Sequence, residues 1–145
     1  MAVNRKLEER LFREVLGWAV LDADNWWNST TYPVAEWSDL TESFVIWHDK
    51  RGSKRSFKPS ERVEDALEVA HFFAEQYELT VYLSVGPGEG GWLAEIGTET
   101  DEGDLNIMAH VHCESGALAL CNVMAEAIDY LLELSEEKGK CSYLN

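Results

Sequence analysis

The segment LTVYLSVGPGEGGWLAEI, residues 79–96, decides the fold. Leu79, Val81, Leu83 and Val85 alternate with Thr80, Tyr82 and Ser84, the period-two pattern of a half-buried strand. Gly86 to Gly91 reverses the chain, and Trp92, Ala94 and Ile96 carry the same apolar face back, so the spacing predicts an antiparallel hairpin. No Lys-Ser/Thr follows the Gly-Pro-Gly run and a strand comes next, which argues against a phosphate loop. Beyond the hairpin, Glu99, Asp101, Glu102 and Asp104 surround Gly103 without the spacing of an EF-hand loop, and read as a solvated acidic turn. A third strand is expected from Leu105 to Val111. Leu105, Ile107, Ala109 and Val111 should face inward, with Asn106, Met108, His110 and His112 on the other side.

Helical patterns flank this meander. Ser115 should cap a last helix with the stripe Leu118, Cys121, Met124, Ala125, Ile128, Leu131 and Leu132. Lys138, Gly139 and Lys140 should end it, leaving 138–145 as a short flexible tail. Upstream, Ser60 is the expected N-cap of a helix whose stripe is Val63, Ala66, Leu67, Ala70, Phe73, Ala74 and Tyr77, with His71 one position off it. Leu7, Leu11, Val15 and Trp18, widened by Phe12, Leu16 and Ala19, predict a first amphipathic helix from about Asn4 to Val20, its opposite face charged in both signs. Residues 21–43, broken by Pro33, read as an ordered loop that shelters Trp26, Trp27, Tyr32 and Trp37. Phe44 to Trp47 forms a short extra strand, after which the chain turns through Gly52. The expectation is one α+β domain over 1–145: a small antiparallel sheet, the three-stranded meander plus the extra strand, sandwiched by about three helices. A length of 145 residues with 46% apolar content suffices for one core.

Charge is unevenly distributed. Val63 to Glu137 contains 17 acidic residues and no lysine or arginine, whereas residues 1–62 hold 10 of each sign, so the net charge of −15 resides in one block. That field repels nucleic acid and anionic membrane and attracts a basic protein surface. Glu99, Asp101, Glu102, Asp104, Glu126, Asp129 and Glu133 are its candidate partner surface, and Glu136 and Glu137 continue the wet face of the last helix. Glutamates near the end of the last helix oppose its dipole, so helix stability does not explain them. The basic turn of Lys50, Arg51, Lys54, Arg55 and Lys58 is expected to pair with the chain's own acids or with those of a second copy, which allows self-association. Charged residues interrupt the first helix throughout, unlike a signal peptide, and no apolar run is long enough to span a membrane. A cytoplasmic protein is the expectation.

In chain order, LeuGlyTrp (16–18), PheLysProSer with the following GluAspAla (57–66), GlyGlyTrpLeuAla (90–94) and SerGlyAlaLeuAlaLeuCys (115–121) resemble the phage ABA-sandwich domain. The resemblance spans nearly the whole chain. It implies a layered helix–sheet module of bacteriophage or prophage acting in the host bacterial cytoplasm, and brings no established chemistry. The tryptophan-rich loop and the acidity depart from that pattern.

Three function classes follow. The first is a non-enzymatic interaction module that inhibits a host defence or nucleic-acid-processing protein through the acidic surface, in its strongest form by imitating DNA. The second is a protein that sequesters a small anionic, nucleotide-like ligand. Trp26, Trp27, Trp37 or Trp47 would stack a base while Arg51, Lys54 or Arg55 meets phosphate. The third is a metal-dependent enzyme using Tyr82, Glu95, His110 and His112 on the outer sheet face, although these lack the spacing of a metal or catalytic signature. No cofactor, bound metal or catalytic residue is assigned. Cys113, Cys121 and Cys141 include no CxxC pair, and Cys113 and His112 point to opposite faces of a strand.

Overall fold

The computed structural model describes residues 4–21, 26–86 and 91–143, with side chains as far as residue 135. The chain forms helices α1 (Arg5–Glu14), α2 (Val63–Tyr77) and α3 (Gly116–Tyr143) and strands β1 (Ala19–Leu21), β2 (Val34–Ser38), β3 (Ser43–Trp47), β4 (Lys54–Phe57), β5 (Thr80–Val85), β6 (Trp92–Glu99) and β7 (Leu105–Cys113). Strands β5, β6 and β7 make an antiparallel meander, and β1 to β4 make a separate four-stranded sheet in sequence order. The α+β class, with antiparallel strands packed by helices, is as expected.

The helices fill the space between the two sheets. Phe12 of α1 packs edge-on against Phe44 of β3, at 4.9 Å between centroids, and lies 5.8 Å from Phe57 of β4. On its other side α1 meets α3, which lies across the meander with Ala117, Leu120, Cys121 and Met124 buried, and α2 packs beside α3 and β5. One apolar core therefore runs from Phe44 and Phe57 through Leu11, Phe12 and Phe73 to Ala94, Ile96 and Ala109.

Several sequence expectations need correction. Helix α1 ends at Glu14, with Val15 as its C-cap, because Gly17 takes φ +69 and Trp18 N–H turns back to Phe12 C=O at 2.8 Å. The segment read as a loop over 21–43 contains β2, whose Val34, Ala35 and Glu36 are buried, and a short 3-10 helix at Trp26–Asn28. The basic turn leads into β4, which pairs Lys54 with Trp47 and Phe57 with Phe44. The extra strand is thus one of four, joined to β1 through a parallel pairing of β1 with β2. Arg62, not Ser60, is the N-cap of α2, and the buried face of that helix is Ala66, Val69, Ala70 and Phe73. Leu67 and Tyr77 turn outward. Helix α3 continues through Lys138, Gly139 and Lys140 to Tyr143, so no helix end falls at those residues.

Ser115 caps α3 as expected, accepting from Leu118 N–H at 3.4 Å. The hairpin also stands: Tyr82 pairs with Glu95, Leu83 with Ala94, and Gly86 N–H donates to Gly91 C=O at 2.7 Å. Residues 87–90 of the reversal, and the side chains of Glu136, Glu137 and Cys141, lie outside the described residues. On β7 the register slips opposite Ile96 and Gly97, so that Ile96 meets Ala109 while Gly97 meets Ile107. The bulge turns Ile107 outward and lets Met108 pack on the core, reversing the faces expected for both. Gly97 permits this approach, since a Cβ there would fall 2.2 Å from the Asn106 carbonyl oxygen.

Candidate functional site

The acidic block forms the outer surface of α2, α3 and the meander. No acidic side chain of this block is buried among the described residues, as expected where carboxylates decorate the wet face of regular elements. Glu99, Asp101, Glu102 and Asp104 are exposed around the β6–β7 turn, where Thr100 N–H bonds Asp104 C=O at 2.7 Å and Gly103 takes φ +88. Glu126, Asp129 and Glu133 line a shallow hollow of about 390 Å³ between α3 and β7, with Met108, His110 and Tyr130. Arg10 of α1 reaches Asp129, so that residue of the expected partner surface is already engaged within the chain. Burden-sharing of this kind is limited: Arg55 pairs with Glu68 at 2.8 Å, and the backbone N–H of Lys58 donates to Asp65 at 3.0 Å. The expected pairing of the basic turn with the chain's own acids is met there. Glu99, Asp101, Glu102, Asp104, Glu126 and Glu133 make no ion pair with a lysine or arginine among the described residues.

The tryptophan-rich segment is organised by its own stacking. Trp26 lies parallel on Trp47, with 3.9 Å between ring centroids and 6° between planes, and Trp27 abuts Trp26 edge-on. Lys54 Nζ sits 5.0 Å from the Trp47 ring centre, and Gly52 passes close to the edges of both rings. The Tyr32 hydroxyl donates to Trp26 C=O at 2.7 Å, and Trp26 N–H donates to Glu36 Oε2 at 3.1 Å. These contacts lay the segment over the outer face of β2 and β3, which explains the burial of Val34 and Glu36 on that side. Trp37 belongs to the opposite face, packed edge-on against Phe44 with Arg5 over its ring. Arg55 lies over Phe57 while paired with Glu68. A base could enter between Trp26 and Trp47 only by parting rings already in contact. Trp27 and Arg51 remain exposed.

On the outer face of the meander, Tyr82, Glu95 and His110 form one cross-strand row, and Ser84, Leu93 and His112 form the next. The expected constellation therefore shares a face, but His112 stands one row away from Glu95. The His110 and His112 rings are 6.4 Å apart and nearly perpendicular. The Tyr82 hydroxyl donates to Glu99 Oε1 at 2.8 Å, and that bond raises its pKa by holding the proton. No group of three His, Cys, Asp or Glu side chains gathers as metal ligands among the described residues. Cys113 faces inward, away from His112, where Asn122 Nδ2 lies 3.9 Å from its sulfur.

Sequence reasoning missed a buried carboxyl. Glu8 was assigned to the charged face of the first helix, yet it is fully buried beneath Ser60. Ser60 donates from both its N–H and its hydroxyl to Glu8 Oε2, each at 2.8 Å, and its oxygen accepts from Asn4 N–H at 3.0 Å. Glu8 Oε1 has no partner. Burial pushes the Glu8 pKa up to about 7, against the lowering influence of the two Ser60 bonds and with help from Asp65 and Glu61. Beside it the Cys121 thiol donates to Pro59 C=O at 3.2 Å, and burial raises its pKa far above the usual thiol range. The available signal was spacing: Glu8 lies three and four residues before Leu11 and Phe12, on the apolar stripe itself. No protein-family model, curated protein or solved structure matches the chain. No helix among the described residues is long and apolar enough to cross a membrane.

Proposed function

We propose that this protein is a non-enzymatic interaction module that binds a basic protein through its acidic surface. The observation that carries the reading is the acidic surface of α2, the meander and α3 as far as residue 137, a stretch of chain without lysine or arginine whose carboxylates lie mostly on regular elements rather than on a loose tail. Fixed charge of one sign on a packed scaffold steers an oppositely charged partner and repels most others. Two further considerations favour a protein partner over a small ligand. The tryptophans best placed to take a base are stacked on each other, and Arg55 is committed to Glu68.

The motif resemblance to the phage ABA-sandwich domain supports a partner in an infected bacterium, a defence or nucleic-acid-processing protein whose basic groove normally holds phosphates. The test is affinity capture from bacterial lysate at low salt. The bait is either the wild-type chain or a variant carrying Asp101→Asn, Glu102→Gln, Glu126→Gln and Glu133→Gln. The reading expects one basic protein that elutes as salt rises, is displaced by duplex DNA, and is lost with the variant. An empty column, or a captured protein indifferent to both salt and the substitutions, overturns it.

A further inference from the structure

Four strands lie at sheet edges: β1, β4, β5 and β7. Proteins protect such edges with brevity, charge, proline or a bulge, because unpaired backbone groups invite another strand. Strand β1 has three residues, β4 carries Lys54 and Arg55, and β7 carries the bulge. Strand β5, Thr80–Val85, has six residues and none of these devices. In an antiparallel pair, successive residues turn their backbone groups alternately toward and away from the partner strand. The bond from Gly86 N–H to Gly91 C=O sets the phase, so Thr80, Tyr82 and Ser84 bond β6, while Val81, Leu83 and Val85 present N–H and C=O groups to the open edge. No backbone hydrogen bond joins Thr80–Val85 to any element but β6 among the described residues.

Beside this edge runs an apolar groove of about 510 Å³, floored by Leu120 and walled by Leu67, Ala70 and Ala74 of α2 and by Val81 and Leu83. Leu67 is 48% and Val85 66% exposed. Acids flank the edge on both faces: Glu64 and Glu78, one turn from Leu67 and Ala74, stand exposed on α2 or at its end, Glu95 and Glu99 lie on the outer face of β6, and no lysine or arginine occurs on α2 or the three strands. The geometry points to docking of an extended partner segment, with alternating apolar and lysine or arginine side chains, as a fourth strand on β5. Its backbone would bond Val81, Leu83 and Val85, its apolar side chains would enter the groove, and its basic ones, on the opposite face of the added strand, would lie beside Tyr82 and Ser84 in the field of Glu95 and Glu99. A second copy of this chain is disfavoured as occupant, because edge-to-edge pairing would bring two acidic blocks together. This inference rests on the interaction reading above and specifies where, and in what conformation, the partner binds.

The test uses the full chain and a labelled octapeptide of alternating lysine and valine, followed by fluorescence anisotropy at low salt. A second peptide carries an N-methyl group at every peptide nitrogen, which keeps the charge and removes the N–H groups needed for strand addition at either edge. Binding of the first peptide, about tenfold weaker for the second, supports the docking mode. The variant Leu67→Glu separates the two driving forces, since it adds a negative charge while spoiling the groove. Docking predicts weaker binding by about tenfold, whereas attraction by charge alone predicts tighter binding. Equal binding of both peptides, with salt-sensitive release and no loss in Leu67→Glu, overturns strand docking and leaves the acidic-surface reading standing. Binding of neither peptide overturns strand docking, and the capture experiment then decides the broader reading separately. A dimer in sedimentation that Val85→Lys dissolves would overturn the proposal in favour of a second copy.

Discussion

Replacing Glu8 with glutamine should change how the stability of the protein responds to pH more than it changes the fold. In the folded chain Glu8 holds its proton up to about pH 7, whereas the ordinary value of the group is 4.5. Between those values the folded state binds more protons than the unfolded state, so raising the pH through this window costs stability. Below the window the contribution is fully present, and above about pH 7 it is lost and no longer changes. At about 1.4 kcal/mol per unit, the interval from 4.5 to about 7 corresponds to about 3.5 kcal/mol, roughly 3 of it above pH 5. Glu8→Gln cannot titrate, and every other carboxylate is common to both proteins. Urea unfolding followed by tryptophan fluorescence at pH 5, 6, 7 and 8 therefore isolates the group. The wild type should lose about 3 kcal/mol relative to Glu8→Gln from pH 5 to 8, with most of the change below pH 7. Whatever the amide costs against the unpartnered Oε1 position is constant with pH and cancels from the comparison. Parallel pH profiles, or a wild type that gains on the variant as pH rises, would refute the reasoning.

Other substitutions test neighbouring parts of the account. Ser60→Ala removes the hydroxyl donor to Glu8 Oε2 and should cost about 2 kcal/mol while moving the Glu8 titration to still higher pH, measurable in the same unfolding series. Since the backbone N–H of residue 60 survives this change, the upward shift should be partial. Gly97→Ala drives a Cβ into the Asn106 carbonyl across the bulge and should destabilise by about 3 kcal/mol, seen as a lower urea midpoint with unchanged slope. Arg10→Ala and Asp129→Ala, combined in a double-mutant cycle, should show a coupling below about 1 kcal/mol, because the Asp129 side chain is 61% exposed. A coupling of several kcal/mol would mean that α1 is pinned to α3 by charge rather than by apolar packing.

The parts of the fold legible in the sequence are those whose pattern is local and whose burial is one-sided. The alternation of Leu79 to Val85 announces the hairpin, and the stripe from Leu118 to Leu131 together with Ser115 announces α3. Strand β2 was illegible because Asn, Ser, Thr and Pro surround Val34 to Ser38 and both faces of Val34–Glu36 are covered, which erases alternation. Strand β4 was illegible because Lys-Arg-Ser-Phe owes its extended form to pairing with β3, not to its own propensity. The bulge depends on Gly97 meeting Asn106 across two strands, which no local window contains. Of the candidate site, the cross-strand row of Tyr82, Glu95 and His110 follows directly from hairpin register. The mutual stacking of Trp26 and Trp47 requires a segment to fold back over a sheet, and the burial of Glu8 depends on Ser60 arriving above α1. Those are tertiary events, and composition carries no trace of them.

The account's central claim is that the acidic surface is the binding surface. Its most direct measurement is the association rate of the wild-type chain with its captured partner across a range of ionic strength, alongside the four-site variant Asp101→Asn, Glu102→Gln, Glu126→Gln and Glu133→Gln. Fixed, exposed charge predicts a rate that falls steeply with salt for the wild type, and a slower rate with a shallower fall for the variant. A rate that ignores ionic strength, or identical salt profiles for the two proteins, would contradict it.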